Sequence, residues 1–407
     1  MRDFTCGRNR GRAAGRLLLC VQWSVAAALA AGGASPWDLK ELSRPPEVFA
    51  AQTTEPGVRA LYFAAVPYQG RPTRVFAYYG APAGRRSPGM VLVHGGGGTA
   101  FAEWVRLWNR RGYAAIAIDT AGNEPEAARD DPWNPPRHRQ PYGGPSGAEV
   151  FKAIDEPERD QWPYQAVAAV ILAHSLLRSF PEVDARHTGV TGISWGGYLT
   201  DIAAGVDPRF RFAAPVYGCG YLGEDSTWLK DLGSLGEARE KRWLSLWDPS
   251  VYLGRARMPM LWVSGTNDFA YPLPSLRKSY RLPRGPRTLS IRVRMTHNHS
   301  AGAAPEEIAA FADAVLKKKD PLARILEARQ GVVTFRSRTP VVKAELNFTR
   351  DRGAWKERKW ETVPAVLDAG RGRATADVPA DATAYYFNLT DARGLVVSSE
   401  YETGRTP

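Results

Sequence analysis

The chain has 407 residues, 44% of them hydrophobic, and a formal net charge of +12. That is enough apolar material for one large core and a smaller one, which excludes a disordered or fibrous chain. No Lys/Arg cluster lies on one predicted face and no nucleic-acid fold signature appears, so the charge reads as a solvated surface and no nucleic-acid partner is expected.

The N-terminus reads as an export signal. Arg8, Arg10, Arg12 and Arg16 precede an apolar stretch from Leu17 to Ala31, and Ala28-Leu29-Ala30 offers a small-x-small cleavage site. Residues 1–31 are therefore expected to be a signal peptide, and the protein to be secreted or periplasmic, with no stable membrane association after cleavage. A retained anchor is the alternative, although the run is short for a membrane span. Leu17-Leu18-Leu19-Cys20 imitates a lipoprotein box but opens the apolar region instead of closing it. The leader holds five Arg and one Asp, a net +4, so +8 of the +12 belongs to the remainder. It also holds Cys6 and Cys20, leaving Cys219, which cannot form an internal disulfide. Within Tyr217-Gly218-Cys219-Gly220 that thiol reads as small packing filler.

Residues 36–60 are Pro-rich and irregular. Val58–Phe63 and Arg74–Tyr79 read as two strands, antiparallel at a sheet edge. Met90-Val91-Leu92-Val93-His94 is a continuously apolar strand of the kind buried on both faces. A helix over Phe101–Arg111 is stopped by Gly112, and Ala114–Ile118 is the next buried strand. Gln161–Phe180 is a long apolar-faced helix leading into the strand that ends at Gly189-Val190-Thr191. The strands Phe212–Tyr217, Met260–Ser264 and Leu289–Met295 follow, and a helix over Pro305–Lys318 closes the series. This alternation predicts a mostly parallel sheet covered by helices on both faces, with strand C-termini along one rim. Residues 121–160 and 221–250 interrupt it. They carry Trp133, Trp228, Trp243 and Trp247 and leave from strand C-termini, so they are expected to wall that rim.

Lys317-Lys318-Lys319-Asp320-Pro321 marks the end of the α/β domain, taken as residues 36–320. From residue 331 the pattern turns to two-residue alternation: Val332–Phe335, Val341–Phe348, Ala384–Leu389 and Leu395–Ser399. Residues 331–407 therefore read as a small β-sandwich in the immunoglobulin style.

The most specific motif is Gly192-Ile193-Ser194-Trp195-Gly196, a G-x-S-x-G set between a strand end and a helix start. A serine hydroxyl needs a base, the base needs an orienting carboxylate, and the oxyanion needs preorganised N–H donors. Of six histidines, His94 leads a glycine run, His138 lies in an insert, His174 is mid-helix and His187 precedes the nucleophile strand. His297 and His299 remain, just past the last strand. His299, further along the loop leading to a helix, is chosen as the base, with His297 the fallback. Asp268 alone among the intervening aspartates directly follows a buried strand, whereas Asp248 reads as a turn residue. His94-Gly95-Gly96-Gly97-Gly98 follows the first buried strand, and its spacing fits neither G-x-G-x-x-G nor a P-loop, which argues against a nucleotide. Donors from Gly95 and Gly96, with the N–H of Trp195, form the expected oxyanion hole. A zinc site at His297 and His299 lacks HExxH or a cysteine set, so neither metal nor cofactor is expected.

On these residues the chain resembles the α/β-hydrolase superfamily, in the branch holding acetyl xylan esterases, dienelactone hydrolases and the catalytic domain of prolyl oligopeptidases. The resemblance covers residues 55–320 and implies an α/β-hydrolase fold plus the appended β-sandwich. It implies a serine hydrolase that cleaves carboxylic esters through an acyl-enzyme on a small or acylated-carbohydrate substrate. A prolyl oligopeptidase-type peptidase is the alternative, and a glycan-binding surface protein a third reading. Relatives commonly place glycine after the catalytic histidine, whereas Asn298 and Ser300 stand here. Hydrolysis is expected to survive deletion of residues 331–407 if the sandwich only docks or stabilises.

Overall fold

The computed structural model describes residues 35–52, 55–84, 86–126 and 130–404; the leader segment, with Cys6 and Cys20, lies outside them. The short apolar runs assemble into one nine-stranded sheet. Its strands are β1 (Val48–Ala50), β2 (Arg59–Tyr68), β3 (Arg71–Gly80), β4 (Ser87–Val93), β5 (Ala114–Ile118), β6 (Val183–Ile193), β7 (Phe212–Val216), β8 (Met260–Gly265) and β9 (Arg287–Arg292). They lie in the order β1-β2-β3-β5-β4-β6-β7-β8-β9. The first three pair antiparallel and dock onto β5 in the same sense, as alternating half-buried strands at an edge should. From β5 to β9 every pairing is parallel. β5, β7 and β8 are buried at every position, because helices cover both faces.

Those helices follow the apolar periodicity. Helix α1 (Ala102–Arg110) buries Trp104 and Trp108. Helix α2 (Trp162–Ser179) is buried from Trp162 through Leu177, so it is an interior helix and not an amphipathic one. Helix α3 (Trp195–Val206) leaves the end of β6, and α4 (Glu306–Lys317) closes the series. Among the described residues no helix is long and apolar enough to cross a membrane.

The β-rich C-terminal segment begins at Arg324, ahead of the expected residue 331. It makes two antiparallel sheets. One orders Arg324–Arg329, Val332–Arg336, Arg373–Thr375 and Val366–Asp368. The other orders Glu361–Pro364, Val341–Thr349, Ala384–Asp391 and Val396–Ser398, with Glu402–Thr403 added on Ala384–Asp391. The described residues from Trp37 onward form one compact unit, and the junction is polar and specific. The Ile291 N–H on edge strand β9 donates to Ser398 Oγ at 2.7 Å. The Glu307 carboxylate, fully buried, accepts from Arg292 at 2.7 and 2.8 Å and from the Val396 N–H at 2.8 Å. The segment thereby covers an edge that would otherwise invite pairing with another chain.

Candidate active site

Ser194 sits where β6 becomes α3, and the turn is sharp enough to force φ 59° and ψ −119° on a residue with a Cβ. Such a conformation costs about 1–3 kcal/mol and persists only where the surroundings over-determine it. Here they do. The Ser194 N–H donates to Val216 O at 2.8 Å, and the turn packs so tightly that a Cβ on Gly196 would lie 2.0 Å from Val93 O. The hydroxyl is held above the rim, and the first N–H of α3, on Trp195, has no intrahelical partner to bond.

Asp268 follows β8 and is buried. Its Oδ1 accepts from the N–H groups of Ala270 (2.9 Å) and Tyr271 (2.7 Å), which fixes the carboxylate and leaves Oδ2 to face a histidine. That histidine is His297. Its Nδ1 lies 2.7 Å from Asp268 Oδ2 and its Nε2 2.8 Å from Ser194 Oγ. The pairing assigns the tautomer: Nδ1–H donates to the carboxylate and Nε2 accepts the serine proton. The ring lies between Tyr217, stacked at 4.5 Å and 23°, and Phe269 at 4.8 Å. Tyr217 Oη donates to Thr296 O at 2.6 Å, anchoring the residue before the histidine.

The expected base, His299, is elsewhere. Asn298 caps a short helix, His299–Ala303, by accepting the Ala301 N–H at 2.7 Å. Asn298 is itself extended, with φ −154° and ψ 172°, and two residues along extended backbone step ~7 Å. Only one of the two rings can then reach Ser194. His299 turns instead onto the glycine run: its Nε2 accepts the Gly95 N–H at 3.0 Å, its ring lies 4.8 Å from Phe101, and a Cβ on Gly98 would stand 2.7 Å from Nε2. Burial, together with nearby His94, pulls its pKa down to about 3, so it is a neutral acceptor.

This contact also corrects the oxyanion hole. The Gly95 N–H faces His299 and is not available to a substrate oxygen. On its other side the Gly95 carbonyl accepts from His94 Nδ1 at 2.7 Å, while His94 Nε2 accepts the Thr120 N–H at 2.9 Å. Two neutral imidazoles thus clamp one residue, Gly95, by its N–H and its carbonyl. Among the described residues the Gly96 N–H bonds to no backbone carbonyl, and a Cβ on Gly96 would lie 2.9 Å from Trp195 Cδ1. Gly96 thus lies against the Trp195 side chain.

The remaining histidines have structural partners. His174 bonds Asp207 and Thr188 and stacks on Phe210 at 3.7 Å. His187 pairs with Asp184. Asp248 ties loops together by accepting from Tyr221, Leu222 and Ser250. Cys219 is buried, and burial pushes its thiol well up. The inserts do wall the rim, but their tryptophans are largely internal. Trp243 and Trp247 are 0% exposed and donate to Val150 O and Gln161 Oε1. Trp228 packs on Trp195 at 4.6 Å and Trp133 on Phe101 at 5.5 Å. Phe269, 52% exposed, is the aromatic face beside His297 that is open to solvent. The described residues contain no group of three or more His, Cys, Asp or Glu side chains arranged to hold a metal ion.

Two family models and several solved structures match the chain. Residues 39–224 match the family model Acetyl xylan esterase (AXE1), and residues 156–318 match that of the Prolyl oligopeptidase family. An acetyl xylan esterase from Paenibacillus sp. R4 superposes with a TM-score of 0.54 at 23% identity, covering 68% of this chain and 92% of that one. Among curated proteins, the alpha/beta hydrolase psoB of Aspergillus fumigatus is 29% identical over 38% of this chain and 32% of its own length. The uncharacterized peptidase YuxL of Bacillus subtilis is 26% identical over 46% and 26% respectively, so the matches span a third or less of those relatives. The fold and the site define an α/β hydrolase. Within that fold the chain is similar to the acetyl xylan esterases over residues 39–224 and to the prolyl oligopeptidase family over residues 156–318.

Proposed function

We propose that the protein is an exported serine esterase that removes small acyl groups, acetyl foremost, from carbohydrate. The observation that carries the reading is the continuous hydrogen-bonded line Asp268–His297–Ser194, 2.7 and 2.8 Å per step, beside a glycine nest. In the first half-reaction Ser194 Oγ attacks the ester carbonyl and its proton passes to His297 Nε2. Asp268 stabilises the imidazolium, and the oxyanion takes hydrogen bonds from Gly96 and Trp195. Collapse expels the alcohol, which leaves with the proton from His297. Water then attacks the acyl-enzyme, giving its proton to His297, and release of the acid restores Ser194. His299 serves as the clamp on Gly95. Removing one oxyanion donor typically costs about 3 kcal/mol, so a clamp that keeps the nest in register matters. Export rests on the basic-then-apolar leader pattern of residues 1–31.

A peptidase is the second reading, favoured by the match of residues 156–318 to the prolyl oligopeptidase family. Purified protein and Ser194→Ala, offered acetylated sugars, aryl acetates and prolyl peptide amides, separate the two. The esterase reading expects ester cleavage that the alanine variant loses; amide cleavage outrunning ester cleavage would replace it with the peptidase.

A further inference from the structure

The hairpin formed by Asn123–Pro125 and Arg137–Arg139 stands beside the glycine nest. It is firmly based. Asp119 Oδ1 accepts from the N–H groups of Ala121 and Asn123 at 2.9 and 2.7 Å, and Gln140 donates to Arg74 O at 2.5 Å. Two of the three side chains in its second strand are answered from within the fold. Arg139 donates to the carbonyls of Ala121 at 2.6 Å, of Gly143 at 3.2 Å and of Gly144. His138 lies 3.6 Å from Glu126 and 3.9 Å from Glu124.

Arg137 is different. Among the described residues its guanidinium has no carboxylate or carbonyl partner, and the side chain is exposed. One terminal nitrogen lies 3.9 Å from the place a Cβ would occupy on Gly97. Its charge is felt in the nest, where it disfavours protonation of both His299 and His94. Gly95, whose own Cβ position is 2.9 Å from Ser194 Cβ, is two residues away, at most ~7 Å along the backbone. An unneutralised guanidinium thus stands next to a nest of N–H groups, where the local potential is already positive. An arginine is planar and always charged, so its natural complement is a carboxylate held by paired hydrogen bonds.

We propose that Arg137 receives a carboxylate carried by the substrate beside the scissile ester. The preferred substrate is then an acylated acidic sugar of the uronate type. This deepens the esterase reading and rests on it.

The test compares acetate release from O-acetylated glucuronic acid and O-acetylated glucose, with 4-nitrophenyl acetate as a third substrate, in wild type, Arg137→Gln and Arg137→Glu. The expected wild-type kcat/KM ratio, acidic over neutral sugar, is about tenfold, the worth of one charge-assisted pair at an accessible site. It should arise in KM, shrink in high salt, fall towards one in Arg137→Gln and drop below one in Arg137→Glu. A ratio unmoved by both substitutions, or a wild type indifferent to the carboxylate while it deacetylates both sugars, overturns the assignment of Arg137 and leaves the esterase standing. Ser194-dependent cleavage of 4-nitrophenyl acetate with neither sugar turned over defeats the carbohydrate reading and the acidic-sugar inference with it. No turnover of any of the three defeats the esterase itself.

Discussion

The proposed mechanism gives two histidines, two residues apart, opposite jobs at one nucleophile. His297 lies between Asp268 and Ser194 and, in the proposed mechanism, accepts and returns a proton. His299 is neutral and accepts a backbone N–H, so in the proposed mechanism it takes no part in the proton transfer. His297→Ala should therefore lower kcat by at least about a thousandfold, as loss of a triad member does. His299→Ala should lower kcat about tenfold through a loosened nest, a fraction of the effect of deleting a donor. KM and the position of the pH–rate profile should stay where they were, because the lost ring does not titrate in the working range. His299→Gln, whose side-chain oxygen can accept the same N–H, should recover part of the rate. A shifted pH profile in His299→Ala would show that ring to be in the proton path. The choice between the two rings was readable only in part. Asn298 is a good N-cap, which sets the helix start at His299 and pulls that ring off the open loop. The Gly95 contact spans 204 positions of chain, and no local pattern announces it.

At the scale of elements, the segments that position chemistry were legible where burial was total. β4, β5, β7 and β8 are continuous apolar runs, and their C-terminal ends carry the glycine nest and Asp268. The strands of the C-terminal segment were harder. Arg324–Arg329 is mostly exposed and rich in charge, so it carries no apolar alternation to read, and Val366–Asp368 is too short to show a period. The contact between that segment and the Asp268 loop also has no sequence signature. Asn267 donates to Arg358 O at 2.7 Å, to Lys356 O at 3.0 Å and to Trp355 O at 3.4 Å. The appended sheets thus hold the residue next to the orienting carboxylate. Against the expectation from sequence, deletion of residues 331–407 should not leave hydrolysis intact. It bares the β9 edge and frees the Asp268 loop, and the shortened protein should aggregate or lose most of its kcat. Asn267→Ala is the milder probe. It removes hydrogen bonds worth about 1 kcal/mol each, so it should lower both Tm and kcat measurably while KM holds. Full activity in the truncated protein would show the segment to be a mere appendage.

For the molecule as a whole, two buried histidines, His94 and His174, and the half-buried His299 make stability depend on acid. Burial lowers the pKa of His94 and of His174 to about 4, and that of His299 to about 3. For His174 burial outweighs the 2.8 Å contact with Asp207, whose charge is answered by Arg209 at 2.7 Å. Each ring is neutral in the fold but takes a proton in the unfolded chain once pH falls below its ordinary value. The unfolded state then binds more protons, so stability declines as pH drops from about 6.5 towards 4. Asp119 works the other way. Burial raises it to about 6, so the fold holds its proton over part of the same window and gains. Fully buried Asp201, raised well above the usual carboxyl range by desolvation, gains likewise; three imidazoles oppose two carboxyls, and Tm should fall between pH 7 and pH 4.5 in thermal melts. A Tm that is level or rising over that range would mean that these rings are not buried and neutral.

Ser194, activated by His297, is the proposed nucleophile. This assignment is tested most directly by treating the protein with a fluorophosphonate and locating the adduct by intact mass and peptide mapping. A single phosphonyl group is expected on Ser194, absent in Ser194→Ala, greatly slowed in His297→Ala and still rapid in His299→Ala. An unlabelled wild type, an adduct on another residue, or a label that depends on His299 and not on His297 would contradict it.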